Sequence, residues 1–495
     1  MKIAFVSSEV VPFAKTGGLA DVAGALPKAL EKLGCEIKIF MPKYYSIDET
    51  KFGLHYCWDI GEMPIRVNGQ IRSVHLHQAK LPKNGNPNEK SDIEVNFIDC
   101  PHYFHRGHFY TNDPDEDERF ILFCKGVIEA LQRLNWIPDI IHCNDWQTGL
   151  LPLYIKDNYN WDKKFSKTAT LYTIHNIAYQ GRFSQQTMFK AELNGDLFYS
   201  GGPVEFENSV CFMKAGLSFS DLINTVSKTY ADEILTQEYG AGLDGTLRQR
   251  KDDLYGIING IDTNTWNPEC DPLIPHHYSS TDLSGKTKNK KYLLEHFNLA
   301  FDEEVPVIGI ISRMVSQKGF DIFAEAVTDL MQLKAQWIIL GNGEEVYENF
   351  FRSLSAALPY KVVSYIGFNN ELSHLIEAGA DIFVMPSRYE PCGLNQIYSL
   401  RYGTVPVVRK TGGLADSVQD WHEYQSYGLD TGSGFSFNDY SSYALYTSVQ
   451  RAVDMFGNKE IWNKIQRNGM EKDYSWENSA RHYLTLYNKA IEKRK

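Results

Sequence analysis

The strongest constraint on the fold is a rhythm. Short, β-rich apolar runs alternate with segments whose apolar residues fall at helical spacing, and the pattern occurs in two separate series. In the first, residues 2–7 are apolar, Thr16-Gly17-Gly18 breaks the run, 22–33 follow helical spacing, Gly34 is placed as a helix stop, and 36–41 alternate. The order continues with a helix over 118–134 and apolar strands at 140–142 and 171–174. The second series starts near Val305 with a strand at 307–311 and a helix to Met331. A strand at 337–340 then ends in Gly341-Asn342-Gly343, and further strands follow at 362–365, 382–385 and 405–408. Strand–helix–strand repetition of this kind predicts parallel sheets covered on both faces, so the expected fold class is α/β with two doubly wound domains. A chain of 495 residues fits that division, since domains usually run to about 100–200 residues.

Punctuation between the series sets the expected boundaries. A hinge is expected at 259–268, giving domains at 1–262 and 263–477 and a C-terminal helix at 478–495 that packs back on the first domain. Residues 267–290 hold three prolines and, near their end, Lys286, Lys288 and Lys290 with Lys291 just beyond, and read as a surface connection. Residues 82–92 and 425–440 also read as loop-rich, and 479–495 as an amphipathic helix with a charged end.

Charge and composition narrow the function classes. Fifty Lys and Arg stand against 62 Asp and Glu, a net charge of −12 with no basic run, which argues against nucleic-acid or anionic-membrane partners. Ser7, Ser8 and Glu9 end the first apolar run far short of a secretory leader, and no run approaches the ~20 residues that span a bilayer, so a soluble, cytoplasmic protein is expected. Eight scattered cysteines without a C-x-x-C pair suggest neither a zinc site nor a disulfide framework.

Five motifs sit at the ends of strands. Lys15-Thr16-Gly17-Gly18-Leu19-Ala20-Asp21 recurs letter for letter at 410–416, either as a trace of two related halves or as a recurrent strand-to-helix turn. Paired glycines let backbone approach a ligand, and the following N–H groups face an anion. His142-Cys143-Asn144-Asp145-Trp146 and Thr173-Ile174-His175-Asn176 lie at strand carboxyl ends, where open α/β sheets bind ligands. There His142 reads as a core histidine bonded to backbone, His175 as functional, and Trp146 as a face for a pyranose. No carboxylate–imidazole spacing suggests a metal, and no cofactor is expected. Arg313 and Lys318, five residues apart, can converge on one diphosphate as a planar fork and a point charge. In Glu390-Pro391-Cys392-Gly393-Leu394-Asn395, the carboxylate suits sugar hydroxyls and the N–H groups from Gly393 to Asn395 suit an anion, whereas the acidic neighbour argues against Cys392 as a nucleophile.

The ordered set resembles the bacterial glycogen synthase and plant starch synthase family, nearly end to end. That resemblance implies a GT-B architecture, two Rossmann-like domains facing a central cleft. It also implies a retaining transfer of glucose from a nucleotide-sugar donor, usually ADP-glucose, to the non-reducing end of an α-1,4-glucan. By the same resemblance Lys15, Gly17 and Gly18 lie at the donor phosphate and glucose, Asp21 near the nucleotide and Asp145 toward the acceptor. His175 and Asn259 lie at the glucose, Asn176 in the substrate site, Arg313 and Lys318 clamp the diphosphate, and Glu390 holds the donor glucose, with Cys392, Gly393, Leu394 and Asn395 beside it. Two positions depart from patterns among relatives: Tyr398 stands eight residues after Glu390 where many retaining transferases carry a second glutamate, and Phe368 stands where a relative has a tyrosine near the base. Competing readings are a UDP-glucose-using synthase, a transferase with a small acceptor, and a non-catalytic polyglucan-binding protein of the same fold.

Overall fold

Residues 1–83 and 86–494 are described by a computed structural model, and they form two compact units, each on its own main sheet. The first unit comprises Met1–Val226, Ala231–Gly260 and the terminal segment from Trp476; the second comprises Ser227–Tyr230 and Ile261–Ser475.

Among the described residues of the first unit, seven strands run parallel in the order Leu254–Gly256, Leu222–Thr225, Ala169–Ile174, Ile140–Asn144, Lys2–Val6, Glu36–Pro42 and Asn86–Asp99. Their unbroken apolar character follows from burial on both faces, and Ile3, Ala4, Phe5 and Val6 are all fully buried. Strand order reverses at Lys2–Val6, which lies between Glu36–Pro42 and Ile140–Asn144. Loops leaving these central strands therefore open at the switch point of the sheet, the usual place for a ligand crevice. The helix Gly18–Lys32 starts there and turns Leu19, Val22, Leu26 and Leu30 inward. The terminal helix Trp476–Arg494 covers part of the same unit: the Tyr487 hydroxyl lies 2.8 Å from His142 Nδ1, and the Tyr483 hydroxyl accepts from Asn224 Nδ2 at 3.0 Å.

The second unit repeats the plan with parallel strands in the order Val362–Ile366, Gln336–Gly341, Val307–Ile311, Ile382–Met385, Val405–Arg409 and Phe435–Phe437. Side-chain alternation along Gln336–Gly341 builds both cores. Trp337 and Ile339 join Phe323, Phe351, Trp421 and Trp462 on one face, while Ile338 and Leu340 join Leu293, Leu294 and Ile376 on the other. The switch point lies between Val307–Ile311 and Ile382–Met385, so the loops carrying Arg313, Lys318 and Glu390 leave adjacent strands.

Two expectations of loops or surface connections are corrected. Residues 82–92 lie in an antiparallel pairing of Gln70–Lys83 with Asn86–Asp99, apart from 84 and 85, which lie outside the described residues. Pro82 is accommodated there by a register shift opposite Lys90. The supposed surface connection at 267–290 contains the start of the helix Ser284–His296, which buries two of its lysines. Lys286 Nζ donates to Thr404 Oγ1 at 2.6 Å and Lys290 pairs with Asp381 at 2.9 Å, so these cations are partnered in the interior rather than solvated. Residues 425–440 are loop-rich as expected: between the end of the helix Trp421–Ser426 and the short strand Phe435–Phe437, residues 427–433 form neither helix nor strand. Among the described residues no helix is long and apolar enough to cross a membrane.

Candidate functional site

In the second unit, the turn after Val307–Ile311 carries Arg313 and Lys318, and the turn after Ile382–Met385 carries Glu390. Gly319 makes their approach possible. It adopts φ +80°, and a Cβ there would lie 2.0 Å from the Pro386 carbonyl oxygen. The two turns are stitched by the Arg388 N–H donating to Gln317 O at 2.8 Å and by Gln317 Nε2 donating to Tyr389 O at 3.2 Å. Glu390 is buried, and Oε2 accepts from Lys318 Nζ at 2.5 Å and from Ser387 Oγ at 3.0 Å. Sequence reasoning gave these two residues separate tasks; the structure pairs them. Arg313 is exposed and, among the described residues, has no carboxylate partner. All three line a cavity of about 150 Å³ that also includes Gly393, Leu394 and Asn395. Asn395 Nδ2 ties the start of the short helix Asn395–Arg401 to the Ile311 carbonyl at 2.6 Å, and among the described residues the N–H groups of 393–395 donate to no backbone carbonyl. The cavity therefore combines two cations and one buried carboxylate, with residues 393–395 in its lining, a set suited to an anion beside a hydroxyl-rich group. Cys392 is buried beside it, and Phe368, 86% exposed, presents a free ring face on the loop after Val362–Ile366. Tyr398 stacks on Trp266 with ring centroids 3.8 Å apart, and Trp266 stacks on His374 at the same distance.

The first unit carries the remaining candidates. Lys15, Thr16, Gly17 and Gly18 are all exposed, Lys15 Nζ pairs with Asp21 at 2.7 Å, and a Cβ on Gly17 or Gly18 would meet nothing within 4 Å. Burial raises the Asp21 carboxyl above its ordinary range, against the pull of Lys15. Asp145, with φ +55°, accepts the His175 N–H at 2.7 Å, and burial pushes its carboxyl up to about 7 while the N–H groups of His175 and Asn176 pull it down. His175 Nε2 lies 2.9 Å from Asn144 Oδ1, whose amide nitrogen donates to Val6 O at 3.0 Å. The proton is thus fixed on Nε2 and Nδ1 is left as an acceptor; burial lowers the ring to about 3 and keeps it neutral. Asn176 Oδ1 closes a turn onto the Ala178 N–H at 3.0 Å. Asn259 is buried, and among the described residues its Oδ1 has no hydrogen-bond partner.

One expectation needs correction here. His142 is a core residue, but its ring is held by the hydroxyls of Tyr487 and Thr173, each at 2.8 Å, rather than by backbone. Trp146, half-buried, packs its ring against Phe120, Phe183 and Phe212, and a Cβ on Gly181 would come within 2.3 Å of it.

The repeated heptapeptide serves two different purposes. Around Gly17 and Gly18 there is open space, whereas a Cβ on Gly412 would lie 2.0 Å from Glu390 O and one on Gly413 2.0 Å from Cys392 O. The Gly413 N–H also donates to Glu390 O at 3.1 Å. The second copy is a close-packing device beneath the Glu390 turn. Sequence reasoning missed Glu9, which organises the first copy; its only signal was an acidic residue ending an apolar strand. Among the described residues no cluster of three or more His, Cys, Asp or Glu is arranged to hold a metal ion.

Comparison with known proteins agrees along the whole chain. The starch synthase catalytic domain family matches residues 2–249, and glycosyl transferases group 1 match residues 293–467. The glycogen synthase of Desulforudis audaxviator is 44% identical over 502 residues, covering 100% of this chain and 97% of the relative, and that of Thermotoga maritima is 44% identical over 496 residues, covering 100% and 99%. The catalytic domain of starch synthase IV from Arabidopsis thaliana, solved bound to ADP and acarbose, superposes with a TM-score of 0.87 at 31% identity, covering 99% of each chain. Two doubly wound parallel units with charged loops at their switch points make this a GT-B-type glycosyltransferase. More narrowly, the chain belongs to the glycogen synthase and starch synthase family and is a glucosyltransferase.

Proposed function

We propose that the chain transfers glucose from ADP-glucose to the 4-hydroxyl at the non-reducing end of an α-1,4-glucan, with retention of configuration, and that it does so in the cytoplasm, where nucleotide sugars are made. The observation that carries this reading is the cavity of the second unit, where Arg313, the Lys318–Glu390 pair at 2.5 Å and residues 393–395 line one space. In the reaction the bond between C1 and the phosphate oxygen breaks and a bond from the acceptor oxygen to C1 forms. ADP departs with the electron pair, and its phosphate oxygen takes the hydroxyl proton. Positive charge grows on the sugar ring and negative charge on the diphosphate, and cations and N–H groups fixed beforehand stabilise that separation. Glu390 holds the Lys318 ammonium in place through one hydrogen bond, leaving its other two N–H groups for phosphate oxygens, while the carboxylate accepts from glucose hydroxyls. Same-face attack assisted by the departing phosphate gives retention without a covalent intermediate, and Tyr398, engaged in its ring stack, is not the carboxylate a double displacement would need.

In the first unit Lys15 and the Gly17–Gly18 backbone are assigned to the donor phosphate and glucose, and Asp21, paired with Lys15, to fixing that cation near the nucleotide. His175, Asn176 and the unpartnered Asn259 Oδ1 are assigned to sugar hydroxyls, and Asp145 to the acceptor side. Phe368 can stack on a base, but its side chain donates no hydrogen bond to it. Competition among ADP-, UDP- and GDP-glucose in a coupled assay of nucleotide release with glycogen tests the reading: ADP-glucose should be preferred, and a preference for UDP-glucose would overturn the donor assignment.

A further inference from the structure

We propose that Glu9 is a positioning residue for donor use: its carboxylate holds the exposed Lys15–Gly18 loop in the one arrangement that presents Lys15 and the Gly18 N–H to a ligand. The inference rests on the assignment of that loop to the donor.

Glu9 follows the first strand and is only 3% exposed, yet its side chain supplies the anchor of an exposed loop. Oε1 accepts from the Thr16 hydroxyl at 2.7 Å and from the Tyr110 hydroxyl at 2.5 Å; Oε2 accepts from the Thr16 N–H and, at 3.3 Å, from the Gly17 N–H. Four donors thus converge on one carboxylate. Among the described residues, no other protein acceptor serves the N–H groups of Thr16 and Gly17. The carboxylate itself sits on a braced frame. Ser7 Oγ donates to Glu9 O at 2.7 Å, Ser8 Oγ lies 2.8 Å from the Tyr110 hydroxyl, and the Tyr44 hydroxyl donates to Ser8 O at 3.0 Å.

This arrangement changes what the helix start can offer. The Gly17 N–H, one of the groups expected at the donor, is already occupied by the protein's own carboxylate, as is the neighbouring Thr16 N–H, so the groups of this loop left for a ligand are the Gly18 N–H and Lys15 Nζ. The second copy of the heptapeptide shows the alternative solution: there the glycines are pinned by the backbone carbonyls of 390–392, which fixes the turn and also fills the space. In the first copy a side chain reaching from eight residues upstream does the fixing and leaves the space above Gly17 and Gly18 open. A loop that is both exposed and held by a buried charge is ordered at little cost in access, which is what preorganised ligand binding requires.

The test uses Glu9→Ala and Glu9→Gln in the full chain, with three readouts. Hydrogen exchange across residues 15–18 should speed up at least tenfold in Glu9→Ala. The KM for ADP-glucose should rise at least tenfold, while the KM for glycogen stays within twofold. Glu9→Gln keeps one acceptor oxygen and should fall between wild type and Glu9→Ala on both scales; it also serves if Glu9→Ala does not fold. Faster exchange with kcat and donor KM within twofold of wild type would overturn the proposal, as would unchanged exchange across the loop or a loss of activity proportional to the loss of folded protein. If the wild-type chain uses no nucleotide glucose at all, the functional reading fails instead; the exchange measurement still reports whether Glu9 holds the loop.

Discussion

The two copies of Lys-Thr-Gly-Gly-Leu-Ala-Asp should respond oppositely to the same substitution. A Cβ placed on Gly413 lies 2.0 Å from Cys392 O, 2.5 Å from Cys392 Cα and 2.6 Å from its carbonyl carbon, all backbone, whereas ordinary contact begins at 3.4 Å. Separating them requires a shift of more than 1 Å in the turn that carries Glu390. Overpacking of this kind costs typically ~1–3 kcal/mol, and because no flexible side chain can give way here the upper end is expected, about 3 kcal/mol. For a unit of this size that corresponds to a fall in Tm of roughly 6–12 °C. Gly18 begins a helix with nothing within 4 Å of its would-be Cβ, and alanine is favoured over glycine in helices by ~0.5–1 kcal/mol. Gly18→Ala should therefore leave Tm unchanged or slightly higher and still reduce transfer, because the methyl group occupies the ligand's approach. Differential scanning calorimetry beside a glucosyl-transfer assay reads both effects. Equal destabilisation by the two variants, or a neutral Gly413→Ala, would refute the division of labour between the copies.

Other perturbations separate chemistry from stability. Arg313→Ala should cost about 10²–10³-fold in turnover, the usual effect of removing one donor to developing charge, with Tm essentially unchanged because the side chain is exposed; near-normal kinetics would remove Arg313 from the clamp. Glu390→Ala should abolish most turnover and also lower stability by ~1–3 kcal/mol, since it strips Lys318 and Ser387 of their shared acceptor; Glu390→Gln should restore stability more than activity, and the reverse order would contradict the assignment. Burial lowers His142 and His175 to about 3, below their unfolded value. Between pH ~6.5 and ~3 the unfolded chain therefore binds protons the native state refuses, and each ring removes ~1.4 kcal/mol of stability per pH unit on acidification. Asp145, raised to about 7, acts with the opposite sign above its unfolded value, so Asp145→Asn should steepen the acid-side slope in urea titrations; a shallower slope would contradict this.

Much of the fold was legible because parallel strands buried on both faces write themselves as unbroken apolar runs, as at Ile3–Val6 and Trp337–Leu340, and their order along the chain exposes the crossovers. What misled were residues whose tertiary partners override composition. Lys286 and Lys290 look like surface cations until Thr404 and Asp381 meet them, and Pro82 looks like a loop until its strand continues past it. The candidate site was legible wherever charged residues followed strands, as with Arg313, Lys318 and Glu390. Pairings across long sequence separations were not: Lys318 with Glu390 spans 72 residues, and Glu9 meets Tyr110 from 101 residues away. Nor does identical sequence distinguish the open first heptapeptide from the packed second, because the carbonyls that fill the latter come from another turn.

The central claim is tested most directly by following C1-labelled ADP-glucose by nuclear magnetic resonance in the presence of maltoheptaose and the full chain. The account predicts that each labelled glucose appears in a new α-1,4 linkage with release of one ADP. A β-linked product, hydrolysis to free glucose without chain extension, or no reaction with ADP-glucose would contradict it.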